Sequence, residues 1–306
     1  MKSIYLKSIF CISFWVVGVT AAAQDDVHGL ETDLFLYPEN IVETEWLNRH
    51  LNDDMVRVVD LRAAEKFHES HIPGAVNLTR DDLRTGAAPH FLLPIDEFEK
   101  LMVSLGISSD HLIVAYDDRG GMDPAWFWWM LKYYGHGKSA ILNGGWQKWT
   151  SESGTVTDHV DKPEPSSGFT AKVHPEWMVT ADEVMELIGN PGLKIIDGRT
   201  LKEFEGNVEG WESVYGDRHG HIPSAIQILW SQILKLDGTF QSSSELRRHF
   251  ESKGIFPDDR IISYCLGGMR SSANLFALYQ AGYRNIALYH GSWWDWGERL
   301  DLPVEK

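Results

Sequence analysis

Short apolar runs without polar alternation recur along the chain at 56–59, 112–116 and 139–142, and again at 194–196, 261–264 and 286–289. Such runs read as strands buried on both faces. Between them the apolar positions take helical spacing, at 95–105, 125–134, 180–188, 243–253 and 271–281. Thr180 ahead of Asp182 and Glu183, and Ser243 and Ser244 ahead of Glu245, supply start signals for two of these helices. Strand and helix in alternation predict an α/β fold of mostly parallel sheets with helices on both faces. Active sites of such sheets lie beyond the carboxyl ends of the strands.

The pattern is also duplicated. Val58-Val59-Asp60-Leu61-Arg62, with Phe67 and then His71-Ile72-Pro73-Gly74-Ala75-Val76, returns as Ile195-Ile196-Asp197-Gly198-Arg199, Phe204 and His221-Ile222-Pro223-Ser224-Ala225-Ile226. The run from Gly106 to Tyr116 returns from Gly254 to Tyr264, and Asn143-Gly144-Gly145-Trp146 is answered by His290-Gly291-Ser292-Trp293. Landmarks repeating in one order signal a duplicated domain. The stretch 151–175, rich in Ser, Gly, Pro and charge, predicts the linker. The copies are then expected at 30–150 and 176–306.

Composition narrows the setting. Lys2 and Lys7, an apolar run from about Ile9 to Val19, and the small residues Ala21 and Ala23 form the pattern of a secretory signal peptide. Residues 1–23 are therefore expected to be removed, giving an exported protein, periplasmic or secreted. The run falls short of the roughly 20 residues of a membrane span. The formal net charge of −16 becomes −18 once Lys2 and Lys7 are gone, which argues against nucleic acid or anionic membrane as partners. Of the two cysteines, Cys11 falls within the signal segment. Cys265 is left without a disulfide partner, either an inert core residue or a reactive thiol.

The residues after Cys265 separate those two readings. In Cys265-Leu266-Gly267-Gly268-Met269-Arg270 the glycines let the backbone curl so that several amides face one centre. A helix start and Arg270 add positive charge, and these are surroundings that favour a thiolate nucleophile. A buried core cysteine needs neither the second glycine nor the arginine. Phosphatases also use a cysteine-to-arginine loop, but a longer one. The four residues Leu266 to Met269 make a cradle suited to one sulfur atom rather than a tetrahedral phosphate. No His, Cys or carboxylate grouping has metal-ligand spacing, and no phosphate or dinucleotide motif follows a strand, so no cofactor is implied.

Taken in order, Asp197-Gly198-Arg199, Glu203-Phe204 with Gly206, Gly220-His221-Ile222-Pro223, the Cys265 loop and Gly291-Ser292-Trp293-Trp294-Asp295-Trp296-Gly297 carry a resemblance. The chain resembles the tandem-domain rhodanese and 3-mercaptopyruvate sulfurtransferases over nearly all of its length. The resemblance implies two rhodanese-like domains and a two-step exchange. Cys265 attacks the outer sulfur of a donor, holds it as a persulfide and passes it to a thiol or cyanide acceptor. It further implies that Leu266, Gly267, Gly268, Met269 and Arg270 surround the sulfur, and that Arg199 binds the anionic part of the donor.

Aligning Tyr116 with Tyr264 puts Asp117 where Cys265 stands, so the first copy is expected to be catalytically silent and to form one wall of the cleft. In the family, basic residues after the cysteine go with thiosulfate, and a small neutral loop goes with 3-mercaptopyruvate. Leu266 to Met269 are neutral while Arg270 is charged, so the loop fits neither pattern. Export to where inorganic sulfur compounds are met inclines the reading to a thiosulfate-type donor. The alternatives are 3-mercaptopyruvate, or a persulfide carrier with little turnover on small donors.

Overall fold

The computed structural model describes residues 34–86, 91–208 and 218–306. The expected signal peptide lies outside them. In the first copy β1 (Ile41–Val42), β2 (Val56–Asp60), β3 (Val76–Asn77), β6 (Leu112–Tyr116) and β7 (Ser139–Leu142) form one parallel sheet in the order β1-β7-β6-β2-β3. A small antiparallel pair, β4 (Arg84–Thr85) with β5 (Phe91–Leu92), stands apart from it. In the second copy β8 (Met178–Val179), β9 (Leu193–Asp197), β10 (Ile226–Gln227), β11 (Arg260–Tyr264) and β12 (Ile286–Tyr289) repeat that sheet, in the order β8-β12-β11-β9-β10. The apolar runs correspond to the three central strands of each sheet, buried on both faces. The flanking strands, two residues each, are too short to leave a periodicity in the sequence.

The segment after the first copy is strapped to it. Thr157 exchanges backbone hydrogen bonds with His71 at 2.8 and 2.9 Å, and Lys172 and His174 donate to the carbonyls of Tyr134 and Tyr133. Glu305, near the end of the second copy, exchanges the same pair of bonds with His221. The two histidines are framework residues. The His71 ring stacks on Phe67 at 3.9 Å and His221 on Phe204 at 3.6 Å, and each Nδ1 lies within hydrogen-bond distance of that phenylalanine's carbonyl.

The copies share a core. The helix Met122–Tyr133 is buried from Asp123 through Leu131, on all of its faces. A helix with no polar side has to be covered all round. Its own sheet covers one side, and the helix Met269–Gln280 of the second copy packs on the other, where Trp128 meets Phe276 and Tyr279 edge-on at 5.1 Å each. Both helices begin earlier than their apolar spacing predicts, because Gly121 and Gly268, at φ of 81° and 91°, turn the chain directly into the first turn.

Each sheet also ends on the same polar framework. Strand register sets Tyr116 beside Asp60 and Tyr264 beside Asp197. Asp197 accepts hydrogen bonds from Tyr264 Oη at 2.6 Å and from Arg199 Nε and Nη2 at 3.0 and 2.7 Å. Arg199 Nη2 also reaches the Gly220 carbonyl at 2.7 Å, and its guanidinium lies 4.4 Å from the Trp293 ring. In the first copy Arg62 is held identically by Asp60, the Ser70 carbonyl and Trp146. Arg199 was expected to bind the anionic part of the donor; its side chain is 1% exposed and held in this framework. Arg199→Ala would leave Asp197 buried without its ion-pair partner, so a destabilisation of about 3–5 kcal/mol is expected in denaturant unfolding. The donor concentration for half-saturation should stay within about twofold; a tenfold rise at unchanged stability would return Arg199 to the site.

Candidate active site

Cys265 follows the last residue of β11, at the carboxyl end of the central strand, and is 1% exposed. Its environment is built by the segment after β12. The Cys265 amide donates to Ser292 Oγ at 3.2 Å, while the carbonyls of Cys265 and Leu266 accept from the amides of Trp293 and Trp294 at 3.0 Å. The two glycines serve different ends. At Gly267 a Cβ would stand 2.3 Å from the Trp294 ring, so the backbone approaches the indole more closely than any side chain permits. Gly268 takes positive φ, and its carbonyl accepts from Ser271 Oγ, Ser272 Oγ and the Ser272 amide, which fixes the turn into the helix. The first-turn amides of a helix have no acceptor within it, so those of Met269–Gln280 face back toward the cysteine loop.

The first copy shows what such a loop collects. Asp117 occupies the place of Cys265, 1% exposed, and its carboxylate accepts from the amides of Gly121 at 2.8 Å and of Arg119 and Asp123 at 3.1 Å. Burial, and after it the neighbouring Asp123, push the Asp117 carboxyl up to about 7 against the pull of the three amides. The loop is thus an anion cradle filled from within, and the first copy has no nucleophile there.

Around Cys265 lies a pocket of about 260 Å³. Of the residues expected at the site, Cys265, Leu266, Gly267, Met269 and Arg270 line it together. Gly268 shapes the turn behind them. Arg270 sits in the first turn of the helix rather than before it, and its Nη1 and Nη2 donate to the two Glu203 carboxylate oxygens at 2.8 Å each. Met122 and Arg80 of the first copy also line the pocket, as do Trp230 and Trp294. The sequence expectation of a first-copy wall did not name these residues. Their one signal is positional: Arg80 and Trp230 stand at the same distance after His71 and His221. Equivalent positions of the two copies thus meet at one cleft. A larger cavity, about 590 Å³, lies over the first-copy loop, lined by Lys66, Arg84, Asp118 and Arg119, and meets the cysteine pocket at Arg80. No cysteine lines it. Among the described residues no group of His, Cys, Asp and Glu is placed to hold a metal ion.

The family model of the rhodanese-like domain matches residues 43–152 and 180–299. The sulfur carrier protein TtuD of Thermus thermophilus is 34% identical over 89% of this chain and 98% of its own length. The 3-mercaptopyruvate sulfurtransferase of Escherichia coli is 31% identical, over 86% and 97%. The thiosulfate sulfurtransferase of Azotobacter vinelandii is likewise 31% identical, over 87% and 96%. The anaerobic ergothioneine biosynthesis enzyme from Chlorobium limicola, solved with trimethyl histidine, shares the fold at a TM-score of 0.77 and 21% identity, over 89% of this chain and 71% of that one. A thiol at the strand end, a strand-end framework repeated in both halves and two matched domains lead to one conclusion: the chain belongs to the rhodanese-like family of sulfurtransferases and carries that domain twice.

Proposed function

We propose that this sulfurtransferase takes a sulfane sulfur from a small anionic donor of the thiosulfate type and carries it as a persulfide on Cys265. The observation that supports this most is the placement of the single cysteine of the described residues at the end of the central strand, where the duplicate carries a carboxyl group held by backbone amides. In the first step the Cys265 thiolate attacks the outer sulfur of thiosulfate. The donor's S–S bond breaks, and sulfite leaves with the electron pair. In the second, an acceptor thiol or cyanide attacks the outer sulfur of the persulfide, and Cys265 leaves as thiolate. Splitting one transfer into two predicts ping-pong kinetics. In this reading the loop amides stabilise the charge on sulfur in both steps, as dipoles oriented before reaction do.

Arg270 is kept at the pocket by Glu203. That carboxylate also closes the start of the helix Leu201–Phe204, accepting from the amide and hydroxyl of Thr200 at 2.9 and 2.7 Å. Burial alone would raise its pKa, but the hydrogen bonds and charge of Arg270, joined by Thr200, outweigh burial and hold it at about 2. One residue therefore couples a helix end to the cysteine loop. The reading that the protein is exported rests on the pattern of residues 1–23.

Cys265→Ser is expected to abolish transfer from thiosulfate and from 3-mercaptopyruvate to cyanide or a thiol. Wild-type protein treated with donor should gain the mass of one sulfur on the Cys265 peptide, and comparable turnover without the thiol would exclude the persulfide. For the Glu203–Arg270 pair the sign is that of a depressed acid: its stabilisation is fully present above the ordinary value of 4.5 and is lost as pH falls from there toward 2. Glu203→Gln should lower stability at pH 7 and flatten the loss of stability of the wild type below pH 5; parallel curves would remove the pair from the account. Mass measurement of protein isolated from its own cells should show a chain beginning after Ala23, and a chain beginning at Met1 would overturn export.

A further inference from the structure

With Arg199 committed to the framework, the donor's anionic group needs another partner, and the cysteine pocket offers two cations. Its other walls are mostly apolar, from Met122, Trp230, Leu266, Met269 and Trp294. The charged side chains lining it are Arg270 and Arg80, one from each copy. They are balanced differently. Arg270 donates to both carboxylate oxygens of Glu203. Arg80 shares a single carboxylate with a second arginine: Arg80 Nε and Nη2 lie 2.8 and 2.7 Å from Asp123 Oδ1, while Arg119 Nη2 donates to Asp123 Oδ2 at 2.5 Å. Two guanidinium groups thus share one carboxylate on the first-copy side. Arg80 Nη2 is buried and, despite its closeness to Asp123, is in no aligned hydrogen bond among the described residues. An unsatisfied guanidinium N–H is costly when buried and suits an anion brought to it.

The silent loop holds this group in place. The Asp123 amide is bonded to Asp117, whose carboxylate also takes the amides of Arg119 and Gly121, so the residue that anchors Arg80 is itself anchored by the substitute for cysteine. A small dianion approaching a protein of formal charge −16 meets repulsion from the whole and needs a local cation.

We propose that Arg80, contributed by the catalytically silent copy, binds the anionic end of the sulfur donor while Cys265 of the other copy attacks its outer sulfur, with Asp123 as the positioning residue for Arg80. This rests on the sulfur-transfer reading given above. The partition of charge is specific to the first half-reaction, Cys265 thiolate plus thiosulfate giving persulfide plus sulfite. The second half, with an uncharged thiol such as dithiothreitol, has no anion for Arg80 to hold.

The two halves can be measured apart in the full chain by acid quenching and mass spectrometry of the Cys265 peptide. Arg80→Ala should raise the thiosulfate concentration for half-maximal loading tenfold or more and leave discharge of the loaded persulfide to dithiothreitol within about twofold. Arg80→Lys, which keeps the charge but not the fork geometry, should fall between. Asp123→Asn should move donor loading in the same direction as Arg80→Ala with discharge unchanged. Unchanged loading in Arg80→Ala, or loading and discharge slowed alike in all three variants, overturns the assignment while sulfur transfer stands. A wild-type protein that acquires no sulfur overturns the sulfur-transfer reading and this assignment with it.

Discussion

The packing of helix Met122–Tyr133 on helix Met269–Gln280 is the contact on which the site depends. Each helix starts directly from the loop at the end of its copy's central strand, Asp117 to Gly121 in one and Cys265 to Gly268 in the other. Packing the helices together therefore brings both loops to the same cleft, which is why Met122 and Arg270, equivalent positions of the two copies, line one pocket. The same contact explains the tryptophan-rich composition of the first helix. A surface that apolar, with Trp126, Trp128 and Trp129 each 3% exposed or less, is stable in water only when a partner covers it.

Duplication followed by divergence leaves one scaffold with two occupants. The strand-end framework of aspartate, arginine, tyrosine and tryptophan is the same in both copies, so it belongs to their shared scaffold. The loops differ where the chemistry differs. Asp117 places a carboxyl group among three amides, an internal occupant that fixes its loop. Cys265 takes the same place in the other copy. A carboxylate buried there costs desolvation, visible in its elevated pKa, and persists because three donors and the turn they fix offset that cost.

The extent to which all this was legible in the sequence follows from the range of the interactions involved. Central strands, buried on both faces, announce themselves as apolar runs, and the repeat exposes the duplication. The Cys265 loop could be read because its parts are neighbours in sequence. Arg80 could not, since its relation to Cys265 is made by the packing of two domains across 185 positions of chain. For Arg199 the sequence carried a signal of its place in the framework: Arg62 holds the same position in the copy with Asp117 in place of the cysteine. A motif shared by active and silent copies reports scaffold, and only positions that differ between them are candidates for chemistry.

That criterion bears on what the silent copy is for. Arg80 and Trp230 differ at one equivalent position, Met122 and Arg270 at another, and all four line the pocket. Each copy thus supplies a cation where the other supplies an apolar side chain. A pocket with a cation from either side and apolar walls between them can hold an anion at one end of a small molecule while leaving the sulfur at its other end to the thiol. The first-copy loop is not free to drift. Its residues Asp117, Arg119 and Asp123 are bound into the support of Arg80, so the copy without the cysteine is tied to the cleft of the copy that carries it.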